Sequence, residues 1–200
     1  MKAFLFSLSL LFLSTFPLIS QGQEKPKKTY TLGVGSSIDG MNHLYGINVS
    51  NEFSWRLGKR MSFNAGLSYY QSLGSYKESR LELGQKNQEQ SSGLFITPSL
   101  KYDLIQKPSG FNLSIAAGPS LQLGGETFLY NPNFDGTLPD YPTYVTNKFQ
   151  RVGLHFELEA AWNSKNPNRK NAVSLSAFGA NNAMPWYLHA TYKIRLKLGN

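Results

Sequence analysis

The final stretch of the chain reads Trp186-Tyr187-Leu188-His189-Ala190-Thr191-Tyr192-Lys193-Ile194-Arg195-Leu196-Lys197-Leu198. In a β-strand, successive side chains point to opposite faces. One face here would carry Trp186, Leu188, Ala190, Tyr192, Ile194, Leu196 and Leu198. The other would carry Tyr187, His189, Thr191, Lys193, Arg195 and Lys197. The first set is apolar throughout and the second is polar and basic. A soluble sheet has little use for so long an apolar face at the end of a chain. A barrel in a bilayer needs one, because its outside meets lipid and its inside meets water or polar side chains.

Working outward from that strand, the 200 residues suit a single domain. Residues 1–22 read as a secretory signal peptide: Lys2 gives the positive start, Ala3 to Ile19 is apolar apart from Ser and Thr, and Ser20 and Gly22 have the small-residue spacing of a cleavage site. Residues 23–28 are a short basic leader and 29–200 the transmembrane barrel domain. The mature chain keeps nineteen Lys and Arg against twelve Asp and Glu, a net charge of +7. The absence of cysteine excludes a disulfide scaffold, thiolate metal sites and a lipid-modified N-terminal cysteine. The mature sequence has no apolar run long enough for a membrane helix, which leaves a closed barrel as the one way across a bilayer.

The alternation predicts eight strands, at about 29–38, 44–57, 61–73, 93–106, 111–123, 149–163, 172–180 and 186–198. Gly58-Lys59-Arg60 reads as a tight turn with glycine in the left-handed position. Pairing Leu57 with Met61 sets Trp55 beside Phe63. Pairing Gln106 with Phe111 across Lys107-Pro108-Ser109-Gly110 sets Pro98 opposite Pro119, where neither can donate to the ladder. With both termini periplasmic, the long polar segments 74–92 and 124–148 fall outside the cell and the tight turns fall in the periplasm. A soluble lipocalin-like barrel is the rival fold, but it would put its apolar faces inside. The fold class expected is therefore all-β, an eight-stranded antiparallel up-and-down transmembrane barrel.

In that pattern, the signal segment and the strand Trp186–Leu198, the chain resembles the small outer-membrane β-barrel proteins of the OmpA/OmpX type, over about Tyr30 to Leu198. It departs from them by ending Leu198-Gly199-Asn200 rather than on an aromatic residue. The resemblance implies the outer membrane of a Gram-negative bacterium, with contact to outer-membrane lipids and the barrel assembly machinery; a monomer with no cofactor is expected.

The inward face gathers Glu52, Arg56, Lys101, Asp103, Arg151, His155, Glu157, Glu159, His189, Lys193 and Arg195. Eight strands enclose only enough room for side chains, so the expectation is a packed charge network, with a proton or ion path as the functional rival. His155, Glu157 and His189 with lumen serines have the residue types of a nucleophile, base and orienter. An enzyme acting on lipid from the outer wall would need polar groups facing lipid, and the outward positions hold no His, Asp or Glu. No catalytic, cofactor or metal residues are assigned. Asp135 and Asp140 lack the ordered spacing of a calcium loop. Trp55, Trp162 and Trp186 read as interface anchors.

Segment 124–148 interleaves Phe128, Tyr130, Phe134, Tyr141 and Tyr144 with Pro132, Pro139 and Pro142. Aromatics on a stiffened loop suit an extracellular protein or glycan ligand, and equally suit packing over the barrel mouth. Lys25, Lys27, Lys28, Lys59, Arg60, Lys107, Lys165, Arg169 and Lys170 make the periplasmic end basic, in keeping with anionic headgroups. Nucleic acid is excluded for an exported chain. The leading function is non-enzymatic, structural or surface-interacting, through the outer loops. An accessory barrel for secretion or envelope assembly, and a lipid A-modifying enzyme, are the alternatives.

Overall fold

The computed structural model describes residues 28–75, 89–130, 143–180 and 183–198. They form β1 (Lys28–Asp39), β2 (Leu44–Arg56), β3 (Met61–Ser75), β4 (Gln90–Gln106), β5 (Asn112–Tyr130), β6 (Thr143–Asn163), β7 (Arg169–Ala180) and β8 (Ala183–Lys197). Each strand pairs antiparallel with the next, and β8 returns to β1 from Thr29↔Lys197 to Asp39↔Tyr187, closing the barrel. The segment 1–22, most of the leader, and Phe134 and Tyr141 lie outside the described residues, as does the side chain of Tyr130.

The alternation sorts the side chains as an inside-out protein does. Leu32, Val34, Val49, Leu67, Ile96, Ile115, Leu154 and Leu175 stand exposed on the outer wall, and Val152 is 73% exposed. Thr31, Asn48, Asn64, Ser114, Gln122, Glu159 and Lys193 are buried inside. The closing seam carries its own clamp. Asn48 donates to Ser37 Oγ and to the Ser36 carbonyl, each at 2.9 Å, and accepts from Thr191 Oγ1 at 2.9 Å, so one β2 side chain spans β1 and β8.

Strand lengths correct the expected loops. β5 runs to Tyr130 and β6 begins at Thr143, paired rung for rung from Asn112↔Ala161 to Tyr130↔Thr143. Of the segment expected as loop 124–148, residues 124–130 and 143–148 are therefore paired strand, and 131–142 lie outside the described residues. Gly124-Gly125 lie within this ladder, where two glycines cost less than the rungs beyond them return. Likewise β3 and β4 extend to Ser75 and from Gln90, which trims segment 74–92 at both ends.

Two further expectations are corrected at the turns. The positive φ lies at Gly110 (88°) and His43 (57°), not at Gly58. Leu57 and Gly58 both donate to the Met61 carbonyl, at 2.9 and 3.2 Å, which closes that turn without a left-handed glycine. At the β1–β2 turn, Asp39 Oδ1 accepts from the Met41 and Asn42 amides at 3.1 Å, a side-chain-stabilised turn that leaves His43 to supply the left-handed step. Trp55 does pair with Phe63, with ring centroids 5.7 Å apart.

The proline rung reaches its place by a different route. Gln106 pairs with Asn112, one residue off, and an extra residue at Leu104 restores the register before Leu100↔Ala117. Leu104 and Ile105 both face outward there, 42% and 43% exposed, as at a β-bulge. The ladder then breaks between Leu100↔Ala117 and Ile96↔Leu121, the interval in which Pro98 lies opposite Pro119. The strands do not splay. Pairing resumes as far as Gln90↔Thr127, and a Cβ on Gly118 would fall 2.0 Å from the Pro98 carbonyl oxygen, so glycine is what allows this close approach.

Candidate functional site

Four tiers of side chains fill the lumen, counted from the end at which β1 begins and β8 ends. In the first, Arg56 Nη1 meets Asp103 Oδ2 at 2.7 Å, and Gln106 Nε2 donates to the same oxygen at 2.6 Å. Arg56 also donates to the Gly58 carbonyl at 2.8 Å and to the Lys59 carbonyl, so it holds the β2–β3 turn from within.

The second tier is a closed ionic cluster. Glu159 accepts from Arg195 at 2.6 Å and faces Lys101 at 2.8 Å and Lys193 at 3.4 Å. Glu157 meets Lys193 at 2.6 Å and Lys101 at 3.4 Å, and accepts from Ser176 Oγ at 3.0 Å. Glu52 stands 3.9 Å from both lysines. The six groups come from β2, β4, β6 and β8 alone, the alternate strands of the ring. Three carboxylates face three cations across the axis, so charge balance and hydrogen bonding offset the cost of burial.

The third tier is aromatic. Tyr70, Phe95, Phe178 and Tyr187 form a buried cluster. His155 and His189 pack on Phe178 at 4.8 and 4.6 Å between ring centroids. Below it lies a cavity of about 30 Å³, lined by Ser68, Thr97, His155, Glu157, His189 and Lys193 among others. Ser68 Oγ, His155 Nδ1 and His189 Nε2 have no hydrogen-bond partner among the described residues. A polar cavity of this size holds about two waters, which would satisfy those atoms.

The fourth tier closes the mouth. The Arg151 guanidinium lies between the rings of Phe149 and Trp186, 3.8 and 3.7 Å from their centroids. It donates to Glu126 and to Tyr187 Oη, both at 2.9 Å, and to Gln122 at 3.2 Å. An arginine held by a carboxylate and two π-faces is fixed in position as well as charge.

No family model matches the sequence, and no curated protein matches it. Solved structures do. Neisserial surface protein A is 12% identical with a TM-score of 0.56, over 89% of this chain and 100% of that one. The attachment invasion locus protein of Yersinia pestis is 7% identical with a TM-score of 0.50, over 88% and 98%. The N-terminal β-barrel domain of Pseudomonas aeruginosa OprF aligns over 89% and 100% at 11% identity and a TM-score of 0.48. The fold is that of an eight-stranded outer-membrane β-barrel.

In this barrel the eleven inward residues do not make one network. Glu52, Lys101, Glu157, Glu159, Lys193 and Arg195 come together, Arg56 and Asp103 form a separate pair nearer the end at which β1 begins, and Arg151 sits at the mouth with Glu126. His155 and His189 belong to the aromatic tier. Neither is hydrogen-bonded to a serine or to Glu157 among the described residues, so the nucleophile–base–orienter arrangement is not assembled.

Trp186 departs from its expected outward place. The β7–β8 register shifts between Phe178↔Tyr187 and Ala180↔Ala183, where β8 carries extra residues around Pro185, and the indole packs over the aromatic tier. Trp55 and Trp162 remain on the outer wall, Trp55 between Phe53 and Phe63 and Trp162 37% exposed. Of the aromatics assigned to the outer loop, Phe128 and Tyr144 lie within β5 and β6, each half-buried. Sequence reading missed Glu126 and the Tyr70, Phe95 and Phe178 plug. The signal for Glu126 was present: it continues the inward parity of Ser120 and Gln122 past the two glycines.

Proposed function

We propose that the chain is exported to the outer membrane of a Gram-negative bacterium with removal of residues 1–22. There it is a non-enzymatic surface-interaction protein whose filled barrel serves as the anchor. Its termini face the periplasm and the long β5–β6 hairpin faces the outside.

The observation carrying this is an edge of β6 with no described strand beside it. β5 and β6 pair up to Tyr130↔Thr143, whereas β6 and β7 pair only from Gly153↔Ala180. Residues 143–152 of β6 thus have β5 on one side and no described strand on the other. Such an edge offers a row of main-chain donors and acceptors to an extended partner segment. The outer face of this projection is polar, with Thr127 and Thr146 hydroxyls 2.9 Å apart and Lys148 and Gln150 exposed, as suits a portion beyond the lipid. Two of the similar structures are named for a cell surface and for attachment and invasion, which supports a role at that face.

The absence of cysteine allows a clean test. A single Lys148→Cys variant should react with a membrane-impermeant thiol reagent on intact cells. Cells carrying a hairpin trimmed above Leu123 and Gln150 should adhere to host-cell or matrix surfaces less than cells carrying the full hairpin. Protection of Lys148→Cys, or equal adhesion by both, would refute the reading.

A further inference from the structure

The end of the barrel at which β1 begins and β8 ends is ringed with cations. Lys28 opens β1, Lys59 and Arg60 form the β2–β3 turn, Lys107 lies in the β4–β5 turn, Lys165 in the β6–β7 turn, and Lys197 ends β8. All six are exposed. Among the described residues the acid at this end is Asp103, which is buried and already engaged by Arg56 at 2.7 Å. Lys197 donates to the Pro167 carbonyl at 2.7 Å and Lys107 stands 5.7 Å from the Phe111 ring centroid, but neither contact supplies a countercharge. The opposite end differs, since there Arg151 has Glu126.

Three of these cations form one built surface. Arg60 and Lys59 use their carbonyls to accept from the Asp103 amide at 2.9 Å and from Gln106 Nε2 at 3.1 Å. The β2–β3 turn is thereby fastened to the end of β4, next to the turn that carries Lys107. Both turns are short: Leu57 N–H donates to the Met61 carbonyl at 2.9 Å and Lys107 N–H to the Phe111 carbonyl at 2.8 Å. The charges therefore stay close to the wall. Just above them on the lipid-facing side come Trp55, Met61 and Tyr102, an aromatic and apolar band of the kind that lies at headgroup level.

We propose that Lys59, Arg60 and Lys107 form a binding site for anionic glycerophospholipid headgroups in the leaflet that meets this end. Cations without protein countercharge, fixed one step beyond an interfacial aromatic band, lie where headgroup phosphates lie. A cell-wall polymer would require a segment reaching away from the membrane, and these turns do not reach. The proposal rests on the periplasmic placement of this end but not on any role for the hairpin.

The test uses the full-length mature protein in nanodiscs of mixed phosphatidylcholine and phosphatidylglycerol, with retained lipid counted by native mass spectrometry. Phosphatidylglycerol should be enriched over its bulk share by about fivefold or more, the equivalent of about 1 kcal/mol for one basic residue at an anionic surface. The enrichment should fall as salt rises, and should be lost in Lys59→Glu/Arg60→Glu/Lys107→Glu. Proportional uptake of both lipids, enrichment indifferent to salt, or enrichment unchanged in the variant would overturn the proposal. Because the salt series needs only the wild-type protein, the proposal stays falsifiable if the variant does not fold. In a parallel arm with lipid A, preference for lipid A over phosphatidylglycerol that is lost in the same triple variant would show that this end meets the outer leaflet, and would overturn the periplasmic placement as well.

Discussion

Replacing Glu159 by glutamine should be among the most damaging single-atom-scale changes this barrel can suffer. The side chain is fully buried and has Arg195, Lys101 and Lys193 at 2.6, 2.8 and 3.4 Å. With Glu159 ionised, the cluster holds three carboxylates and three cations. With glutamine it holds one cation too many, and the new amide N–H₂ donates where three donors already converge. Removing one partner of a buried ion pair costs about 3–5 kcal/mol, most of it the desolvation of the charge left behind. A loss in that range is expected, read as a lower urea midpoint for refolded protein in lipid vesicles, followed by tryptophan fluorescence and by the gel shift between boiled and unboiled samples. Glu159→Gln with Arg195→Gln restores neutrality and should lose clearly less than the sum of the two single changes. A single variant within about 0.5 kcal/mol of wild type, the range of an ordinary surface change, or a strictly additive double variant, would refute the view that this tier is one coupled ionic unit.

Amides flanking the proline rung, at Thr97, Ser99 and Ser120, should exchange with solvent deuterium faster than those of Tyr102 and Ile115 lower on the same strands; uniform protection would mean the missing rungs have no dynamic consequence. Leu154→Arg on the outer wall should cost about 2–4 kcal/mol and impair assembly, while Gln150→Arg, on the same face four residues nearer the mouth, should be neutral; equal effects would misplace the lipid boundary. Ser114→Arg should also impair folding, because Ser114 is 2% exposed and sits between Asp103 and Glu159 in a lumen already filled. Liposomes holding the purified protein should pass sugars no faster than protein-free liposomes, and rapid permeation would show that the four tiers do not seal the bore.

How far the sequence could be read follows from what each signal depends on. Facing depends only on parity, so Leu32, Leu154 and Lys193 fell on the correct sides wherever a strand ran without interruption. Parity fails where a residue is inserted. Trp186 was placed on the lipid side because the extra residues around Pro185 carry no mark in the alternation itself. The proline rung shows the opposite case: the turn was assigned one residue off, the bulge at Leu104 went unseen, and the two errors cancelled. Strand ends were underestimated at Gly124-Gly125 and Gly93, where glycines that pass as turn residues lie within ladders. The cluster around Glu159 was legible as a set of inward charges. Its division from Arg56–Asp103 and Arg151–Glu126 was not, because axial position depends on strand stagger, which the sequence does not state.

The alternate-strand origin of the ionic tier bears on how the barrel comes to be closed. Of the six charges, Lys193 and Arg195 lie on β8, the strand that closes on β1. A sheet of β1 to β7 would hold Glu52, Glu157 and Glu159 against Lys101 alone, three negative charges to one positive, a net of −2. Such an intermediate cannot dry its interior, because the surplus carboxylates demand water. The arrival of β8 delivers the missing countercharges, supplies Thr191 to Asn48 at the seam, and completes the ring of main-chain bonds with β1. Dehydration of the bore and joining of its two edges are thus coupled through the same strand, and a sheet without β8 would keep an uncompensated charge of −2 in its interior.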